Sequence, residues 1–320
     1  MSDSPYRGVR VLVLGASGFI GRWVARALAE AGADLRLVVR DPAAATPIFD
    51  RWEVRAPVAW FDLSDDRWSD WFLAEVQPAI VFNLAGYGVN PAEREEAAAQ
   101  ALNTRLPASL ADAMTRHRDD RWPGQHIVHA GSALEYGTTG GDLSEDGPAT
   151  PTTLYGRTKL AGTIALREAA YHAELRATTA RLFTVYGPGE PAYRLLPTLL
   201  AARPADASIP LSAGEQLRDF TYVEDVADGL LRLGAHAGEG GVVNLSTGRL
   251  SSVRTFVESA AEVLGIVPAR LDFGALPTRT EEQQHDPVNI ARLRGLLDWV
   301  PDTGIANGVR RTARFVDATR

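Results

Sequence analysis

The 320 residues contain no cysteine, which excludes a disulfide, a thiolate nucleophile and a Cys-ligated zinc site. A basic surplus is missing too: 33 lysines and arginines stand against 40 acids, a formal net charge of −7. That balance argues against bulk nucleic-acid binding, which needs a basic field, but leaves room for local arginine sites on a phosphate ligand. The N-terminal Met-Ser-Asp-Ser-Pro-Tyr-Arg lacks the apolar stretch of a signal peptide. No apolar run reaches the roughly 18 residues of a membrane span, and the best, around 79–86, has the length of a buried strand. Neither an internal repeat nor a low-complexity linker is found. A soluble, cytoplasmic protein is expected. The hydrophobic share of 45% and the charged share of 23% are ordinary for a folded chain, long enough for one large α/β unit or two coupled domains.

Strand and helix signals alternate through the first half. Short β-branched runs at 9–14, 35–39, 58–61, 79–84, 127–129 and 178–183 read as strands, and 242–245 adds one more. Between them, 19–31, 65–76, a long alanine-rich stretch at 92–115, and 155–171 carry helical spacing. This alternation predicts a doubly wound parallel sheet with helices on both faces. From Tyr186 onward prolines at 188, 191, 197, 204 and 210 break the rhythm, as in an irregular lobe over the sheet edge. A discontinuous division is expected: 1–185 plus 218–249 as a dinucleotide-binding domain, 186–217 plus 250–320 as a smaller substrate lobe.

Gly15-Ala-Ser-Gly18-Phe-Ile-Gly21 follows the first strand and opens a helix. Glycines there permit a tight turn and close approach of the backbone to a pyrophosphate, and the helix N-terminus favours the anion. At the end of the second strand, where an acid often binds the ribose 2′-hydroxyl of NAD, stands Arg40, with Asp41 beside it. A guanidinium suits a 2′-phosphate and can lie on adenine, which favours NADP; Asp41 could still take the hydroxyl. Asp62 closes the third strand and reads either as an adenine contact or as a helix cap.

Tyr155 and Lys159 lie a turn apart near the start of a helix. A nearby ammonium is expected to lower the phenol toward a working acid–base range. Ser132, just after a strand, could bind the same substrate oxygen. His126 and His129 flank a core strand and read as packed residues rather than ligands, and no His-x-x-x-His pair suggests a metal. Trp52, Trp60, Trp68, Trp71 and Trp122 read as packing residues, and Glu93–Glu96 as a solvated helix face.

Gly15/Gly18/Gly21, Asp62, Asn83-Leu-Ala-Gly86, Asn103, Ser132, Tyr155/Lys159, Val185-Tyr-Gly-Pro188, Arg218-Asp-Phe-Thr-Tyr-Val-Glu-Asp225 and Leu297-Asp-Trp-Val-Pro301 follow one another in this order. In this the chain resembles the extended short-chain dehydrogenase/reductases, the NAD(P)-dependent sugar epimerase/dehydratase group. The resemblance implies that Gly15, Ser17, Gly18, Phe19, Ile20 and Gly21 cradle the pyrophosphate. Arg40, Asp62 and Leu63 would surround the adenosine, and Ala85, Gly86 and Asn103 would line the cofactor. Tyr155 would be the acid–base residue, Ser132 would polarise the same oxygen, and Lys159 would also hold the nicotinamide ribose. Arg218 and Arg279 would hold a nucleotide-sugar diphosphate, with Ala133, Glu135 and Thr184 also on the substrate side. Thr184 stands where many relatives carry asparagine. A homodimer through the helices at 92–115 and 155–171 is also implied.

The 4,6-dehydratases of this group need an acid pair directly after the catalytic hydroxyl, and here Ala133 and Leu134 follow. The loop Ser132-Ala-Leu-Glu135-Tyr-Gly137 resembles instead the nucleotide-sugar 4-ketoreductases, with Glu135 either the distinguishing residue or a hydrogen-bond partner within the loop. The expected reaction is therefore NADPH-dependent reduction of the C4 carbonyl of a nucleotide-linked 4-keto-6-deoxyhexose, with NAD a possible cofactor. The main alternative is an NAD-dependent epimerase with tightly bound cofactor. Lower alternatives are reduction of a non-sugar ketone and a non-catalytic NADP sensor, the latter disfavoured by retention of Tyr155 and Lys159.

Overall fold

In the computed structural model, which describes residues 4–65, 67–90, 92–277 and 285–319, strand and helix alternate from the start. β1 (Arg10–Leu14) feeds α1 (Phe19–Glu30), followed by β2 (Asp34–Val39), α2 (Pro42–Arg51), β3 (Val58–Trp60), α3 (Arg67–Val76) and β4 (Ile80–Asn83). Next come α4 (Glu96–Ala99), a π-helical turn (Gln100–Arg105), α5 (Leu106–His117), β5 (Ile127–Ser132) and a 3-10 turn (Ala133–Glu135). Then follow α6 (Leu154–His172), β6 (Ala177–Leu182), β7 (Thr184–Tyr186), α7 (Leu195–Ala202), β8 (Ile209–Leu211), β9 (Leu217–Arg218) and β10 (Phe220–Tyr222). The chain closes with α8 (Val223–Ala235), β11 (Gly241–Leu245), β12 (Ser251–Ser252), α9 (Val253–Leu264), β13 (Leu271–Phe273), α10 (Ala291–Leu297) and α11 (Ile305–Ala318).

Seven strands form one sheet in the order β11-β6-β5-β4-β1-β2-β3, with every neighbour pair parallel. This is the doubly wound, Rossmann-type α/β architecture. The strands are apolar without interruption because both faces are covered. Along β1, Val11 and Val13 pack with Trp23, Val24 and Leu28 of α1 and Val226 and Leu230 of α8. The alternate residues Leu12 and Leu14 pack with Phe72 and Leu73 of α3 and Leu110 and Met114 of α5. Because β1 lies between β2 and β4, successive crossovers leave in opposite directions and open a crevice at the strands' C-terminal ends.

A third core gathers Tyr186, Leu196, Leu199, Phe220, Tyr222, Phe256, Val257 and Val309. The Phe220 and Phe256 rings stack in it at 4.3 Å. No described helix is long and apolar enough to cross a membrane.

Two local readings differ from the sequence expectation. The segment after β2 forms α2, which the helical pattern hid because Pro47 lies inside it; Pro42 at its start and the Asp41 cap nucleate it instead. The expected continuous helix at 92–115 is broken into α4, the π turn and α5. The turn accommodates α6: a Cβ on Gly162 would stand only 1.8 Å from the Asn103 carbonyl oxygen. Of the tryptophans, Trp52, Trp68 and Trp122 are buried, but Trp60 on edge strand β3 and Trp71 on α3 are exposed.

Candidate active site

The glycine turn joins β1 to α1 at the crevice. Gly15 has φ +72°, and a Cβ there would stand 2.9 Å from the backbone of Leu84 and Ala85 beyond β4. A Cβ on Gly21 would lie 2.1 Å from the Gly15 carbonyl oxygen, so the helix can approach the turn only without a side chain. Gly18 caps α1 with no side-chain bond, and no acid stands in the first turn. Arg22 donates to the carbonyls of Ser17 at 2.9 Å and Gly18 at 3.0 Å, tying the outside of the turn down. An unblocked helix N-terminus behind a Cβ-free turn fits a dinucleotide pyrophosphate, with Ser17, Phe19 and Ile20 at its rim.

At the adenosine end, Arg40 is exposed beside the tip of β2, and Asp62 is exposed beyond β3. The two are close enough for the Arg40 charge to act on the Asp62 carboxyl, which is held below its ordinary range mainly by hydrogen bonds from Ser64. Ser64 donates to Asp62 Oδ1 through its backbone N–H at 2.9 Å and its hydroxyl at 2.6 Å, so Asp62 shapes its own loop and does not cap α3. Asp41 accepts the Ala44 N–H at 3.1 Å and is committed to capping α2. Leu63 is half-buried on the α5 side of the core.

The candidate catalytic corner lies where β5 meets α6. Thr153 caps α6, accepting the Gly156 N–H at 3.0 Å. A Cβ on Gly156 would stand 2.3 Å from the Leu134 carbonyl oxygen, so the helix start is pressed onto the turn after β5. This contact brings Tyr155 close to Ser132, whose hydroxyl bears on the phenol. Ser132 Oγ accepts the Leu134 N–H at 3.2 Å, which leaves its own proton to donate to an oxygen in the cleft. Gly88, at φ +101°, lies against the Tyr155 ring, where an added Cβ would approach to 3.2 Å. Glu93 Oε2 fixes that loop by accepting the Gly88 N–H at 2.8 Å, so Glu93 is not simply part of a solvated face.

Burial pushes the Tyr155 phenol up to about 12, opposed by the Ser132 hydrogen bond, with Glu135, Arg194 and Glu93 as the charges bearing on it. The expected lowering by Lys159 is not what the fold builds, because Lys159 turns to the sheet and donates to His129 Nε2 at 3.2 Å. The phenol is therefore protonated in the free protein. Lys159 is the only lysine in the sequence; the rest of the 33 basic residues are arginines. Arginine stays charged whatever its surroundings, whereas a lysine can be tuned: burial pulls Lys159 down to about 8, and the Glu135 charge resists. His129 is fully buried and held neutral, its pKa driven well below the ordinary value by burial and then by Lys159. It packs as expected, but against a site residue.

Other expected contacts fall elsewhere. Glu135 does not face the cleft: it is fully buried, and its carboxylate accepts from Ser132 N–H at 2.8 Å, Arg181 Nε at 2.9 Å and Thr163 Oγ1 at 3.1 Å. Of its two expected roles the structure shows the loop hydrogen bond, and the expected substrate contact is corrected accordingly. Asn103 is likewise buried; it accepts the Tyr87 N–H at 3.0 Å and donates to the Tyr87 carbonyl at 2.8 Å and Thr158 Oγ1 at 3.0 Å. Its side chain is committed to shaping the loop that carries Ala85 and Gly86. Ala133 and Thr184 are half-buried, and the Thr184 N–H donates to the Asp219 carbonyl at 3.0 Å. Arg218 is half-buried in β9, opposite Ser251. Arg279 lies outside the described residues. Sequence reading passed over Arg194, whose charge reaches Tyr155 and which pairs with buried Glu190 at 3.0 Å. No spacing rule connects residue 194 to 155.

Comparison with known proteins places this geometry. The profile of the NAD dependent epimerase/dehydratase family matches residues 11–246. A dTDP-6-deoxy-L-talose 4-dehydrogenase (NAD(P)(+)) from Kitasatospora kifunensis is 31% identical over 315 residues, covering 94% of this chain and 93% of the relative. A UDP-glucose 4-epimerase from Mycolicibacterium smegmatis is 29% identical, covering 96% and 98%. Among solved structures, MoeE5 in complex with UDP-glucuronic acid and NAD superposes with a TM-score of 0.80 at 27% identity, covering 97% of this chain and 99% of that one. With the Gly15–Gly21 cradle and the Ser132/Tyr155/Lys159 corner in one crevice, the chain belongs to the NAD-dependent epimerase/dehydratase family of extended short-chain dehydrogenase/reductases, enzymes of oxidoreductase type.

Proposed function

We propose that this enzyme reduces the C4 keto group of a nucleotide-linked 4-keto-6-deoxyhexose to a hydroxyl, with NADPH as the preferred reductant. The observation that carries the reading is the placement of the Tyr155 phenol beside Ser132, with the start of α6 pressed onto the turn after β5 and no acid at the two positions that follow Ser132. A ketone reduction needs a proton donor at the carbonyl oxygen, whereas oxidation of an alcohol needs the phenolate. Bound in the crevice, a nicotinamide cofactor supplies the hydride that reaches the carbonyl carbon. Ser132 donates a hydrogen bond to the developing alkoxide and Tyr155 passes its proton to that oxygen, while Lys159, held on His129 at 3.2 Å, is left to the cofactor side of the corner. Ala133 and Leu134 carry no transferable proton, so elimination of water lacks its acid and base.

The relatives support the substrate class: the Kitasatospora enzyme is named for a dTDP-6-deoxysugar. A dTDP-4-dehydrorhamnose reductase from Streptomyces griseus is 31% identical, covering 84% of this chain and 80% of the relative. Arg218 in β9 offers a guanidinium for the diphosphate, and Arg279 is the second candidate. NADP is favoured because Arg40 is exposed at the end of β2 and Asp41 is committed to a cap. The discontinuous division into a dinucleotide domain and a substrate lobe belongs to the same reading. So does a homodimer, for which exposed Ile164 and Tyr171 on α6 offer apolar surface.

An epimerase with retained NAD is the second reading, favoured by the full-length likeness to UDP-glucose 4-epimerase. One assay separates them: NADPH and NADH oxidation against a panel of dTDP- and UDP-4-keto-6-deoxysugars, with products identified by NMR. Stoichiometric NADPH consumption yielding the 4-hydroxy sugar is expected. Protein purified with tightly held NAD that interconverts UDP-hexoses without net NADPH use would overturn the reductase reading.

A further inference from the structure

Behind the catalytic corner, sealed from solvent, lies an ion pair that ordinary core packing would not place there. The side chains of Glu135 and Arg181 are 0% and 4% exposed, with a 2.9 Å contact between them. Burying two charges is expensive unless they find further partners; here the carboxylate has three, whereas Arg181 Nη1 is buried with none. Glu135 Oε1 accepts the Ser132 N–H while Ser132 Oγ accepts from Leu134, a reciprocal capping box around a three-residue turn. Oε2 takes Arg181 Nε from β6 and Thr163 Oγ1 from α6. The Arg181 guanidinium lies 4.3 Å over the Tyr136 ring. Even the backbone makes room: a Cβ on Gly131 would stand 2.7 Å from Glu135 Oε1.

We propose that Glu135 is a positioning residue for the reaction: paired with Arg181, it locks the Ser132 backbone and sets its carboxylate behind Tyr155 and Lys159. The proposal rests on the reading that Ser132, Tyr155 and Lys159 perform the chemistry. Ser132 belongs to the capping box and its hydroxyl bears on the Tyr155 phenol, so movement of the carboxylate is passed to the hydroxyl. The carboxylate acts in one direction on both neighbours, favouring a protonated phenol and a protonated ammonium. That is the charge state a ketone reduction starts from. The groups facing Lys159 are His129 from β5 and Glu135 from the following turn. Those facing Tyr155 are Ser132, Glu135, Arg194 and Glu93.

The single lysine makes this directly measurable. Protein labelled with [ε-13C]lysine gives one lysine signal, whose pH titration reports residue 159 without any substrate. The wild-type midpoint is expected near 8. In E135Q/R181Q, which leaves neither charge buried alone, it is expected to fall by about half a unit or more. E135Q alone carries the same expectation and serves as the second variant. E135D keeps the charge but shortens the reach, so the lysine midpoint is expected to hold. Its turnover with NADPH and dTDP-4-keto-6-deoxyglucose is expected to drop about tenfold through loss of Ser132 positioning. An unchanged lysine midpoint in the charge-removing variants overturns the proposal, and so does wild-type turnover in E135D. Should the wild-type enzyme reduce no 4-keto sugar, the proposed reaction fails, while the lysine titration still decides the role of Glu135.

Discussion

The candidate phosphate cradle at β1–α1 and the candidate catalytic corner at β5–α6 are built by opposite means. The cradle offers an anion bare backbone and no formal charge of its own: Gly15 and Gly21 exclude side chains, and α1 begins without a side-chain cap. The corner is built from charge under burial, with Lys159, Glu135 and Arg181 each under 5% exposed. A cradle of backbone tolerates little added volume but is indifferent to pH. A corner of buried charges tolerates isosteric change in shape but responds to any change in protonation.

The largest effect that would sharpen this contrast is expected at Lys159. Lys159→Met is expected to lower turnover by about 10³-fold or more, measured as NADPH oxidation. At the same time it should raise the melting temperature. The buried ammonium titrates near 8 in the fold against 10.5 unfolded, so below about pH 8 its burial costs stability in full. Between those values the unfolded chain binds more protons, and stability rises with pH as the cost is relieved. The stabilisation by methionine is therefore expected at neutral pH and should vanish above about pH 10.5. Wild-type reduction should likewise decline above about pH 8 as the ammonium discharges.

Ser132→Ala removes one donor to the developing oxyanion and is expected to cost about 10²-fold in kcat with little change in cofactor affinity, read by NADPH fluorescence titration. Gly21→Ala should do the reverse, weakening NADPH binding about tenfold or more, because its Cβ would press on the Gly15 carbonyl at 2.1 Å. Equal effects of these two variants on kcat and on binding would break the separation between cradle and corner. Arg40→Ala should be milder, narrowing the NADPH-over-NADH preference by about tenfold in paired Kd measurements. The smallest change is expected from Thr153→Ala, which deletes the α6 cap bond of 3.0 Å and should cost about 1 kcal/mol in denaturant unfolding.

The two regions were unequally legible in the sequence. The cradle is local: one strand, three spaced glycines and one helix lie within Arg10–Glu30, so order along the chain already implies the geometry. Tyr155 and Lys159 share that advantage, being one helical turn apart. Residue order left Glu135 between a substrate contact and a loop hydrogen bond, because its partner Arg181 lies 46 residues away on another strand and nothing in residue order aims a carboxylate inward. The direction of the Tyr155 shift was misjudged for a related reason. Helical spacing puts Lys159 on the same face as the phenol, but burial and the neutral acceptor His129 decide where its ammonium points. The π turn at Gln100–Arg105 was hidden as well, since it answers to the close approach of Gly162 on α6.

The central claim is that the phenol of Tyr155 is the proton donor at the crevice where the cofactor binds. Tyr155→Phe keeps the ring against Gly88 and removes only the hydroxyl, so NADPH affinity measured by fluorescence should stay within about twofold of wild type while turnover falls by about 10³-fold or more. A phenylalanine variant that reduces substrate at the wild-type rate would contradict it.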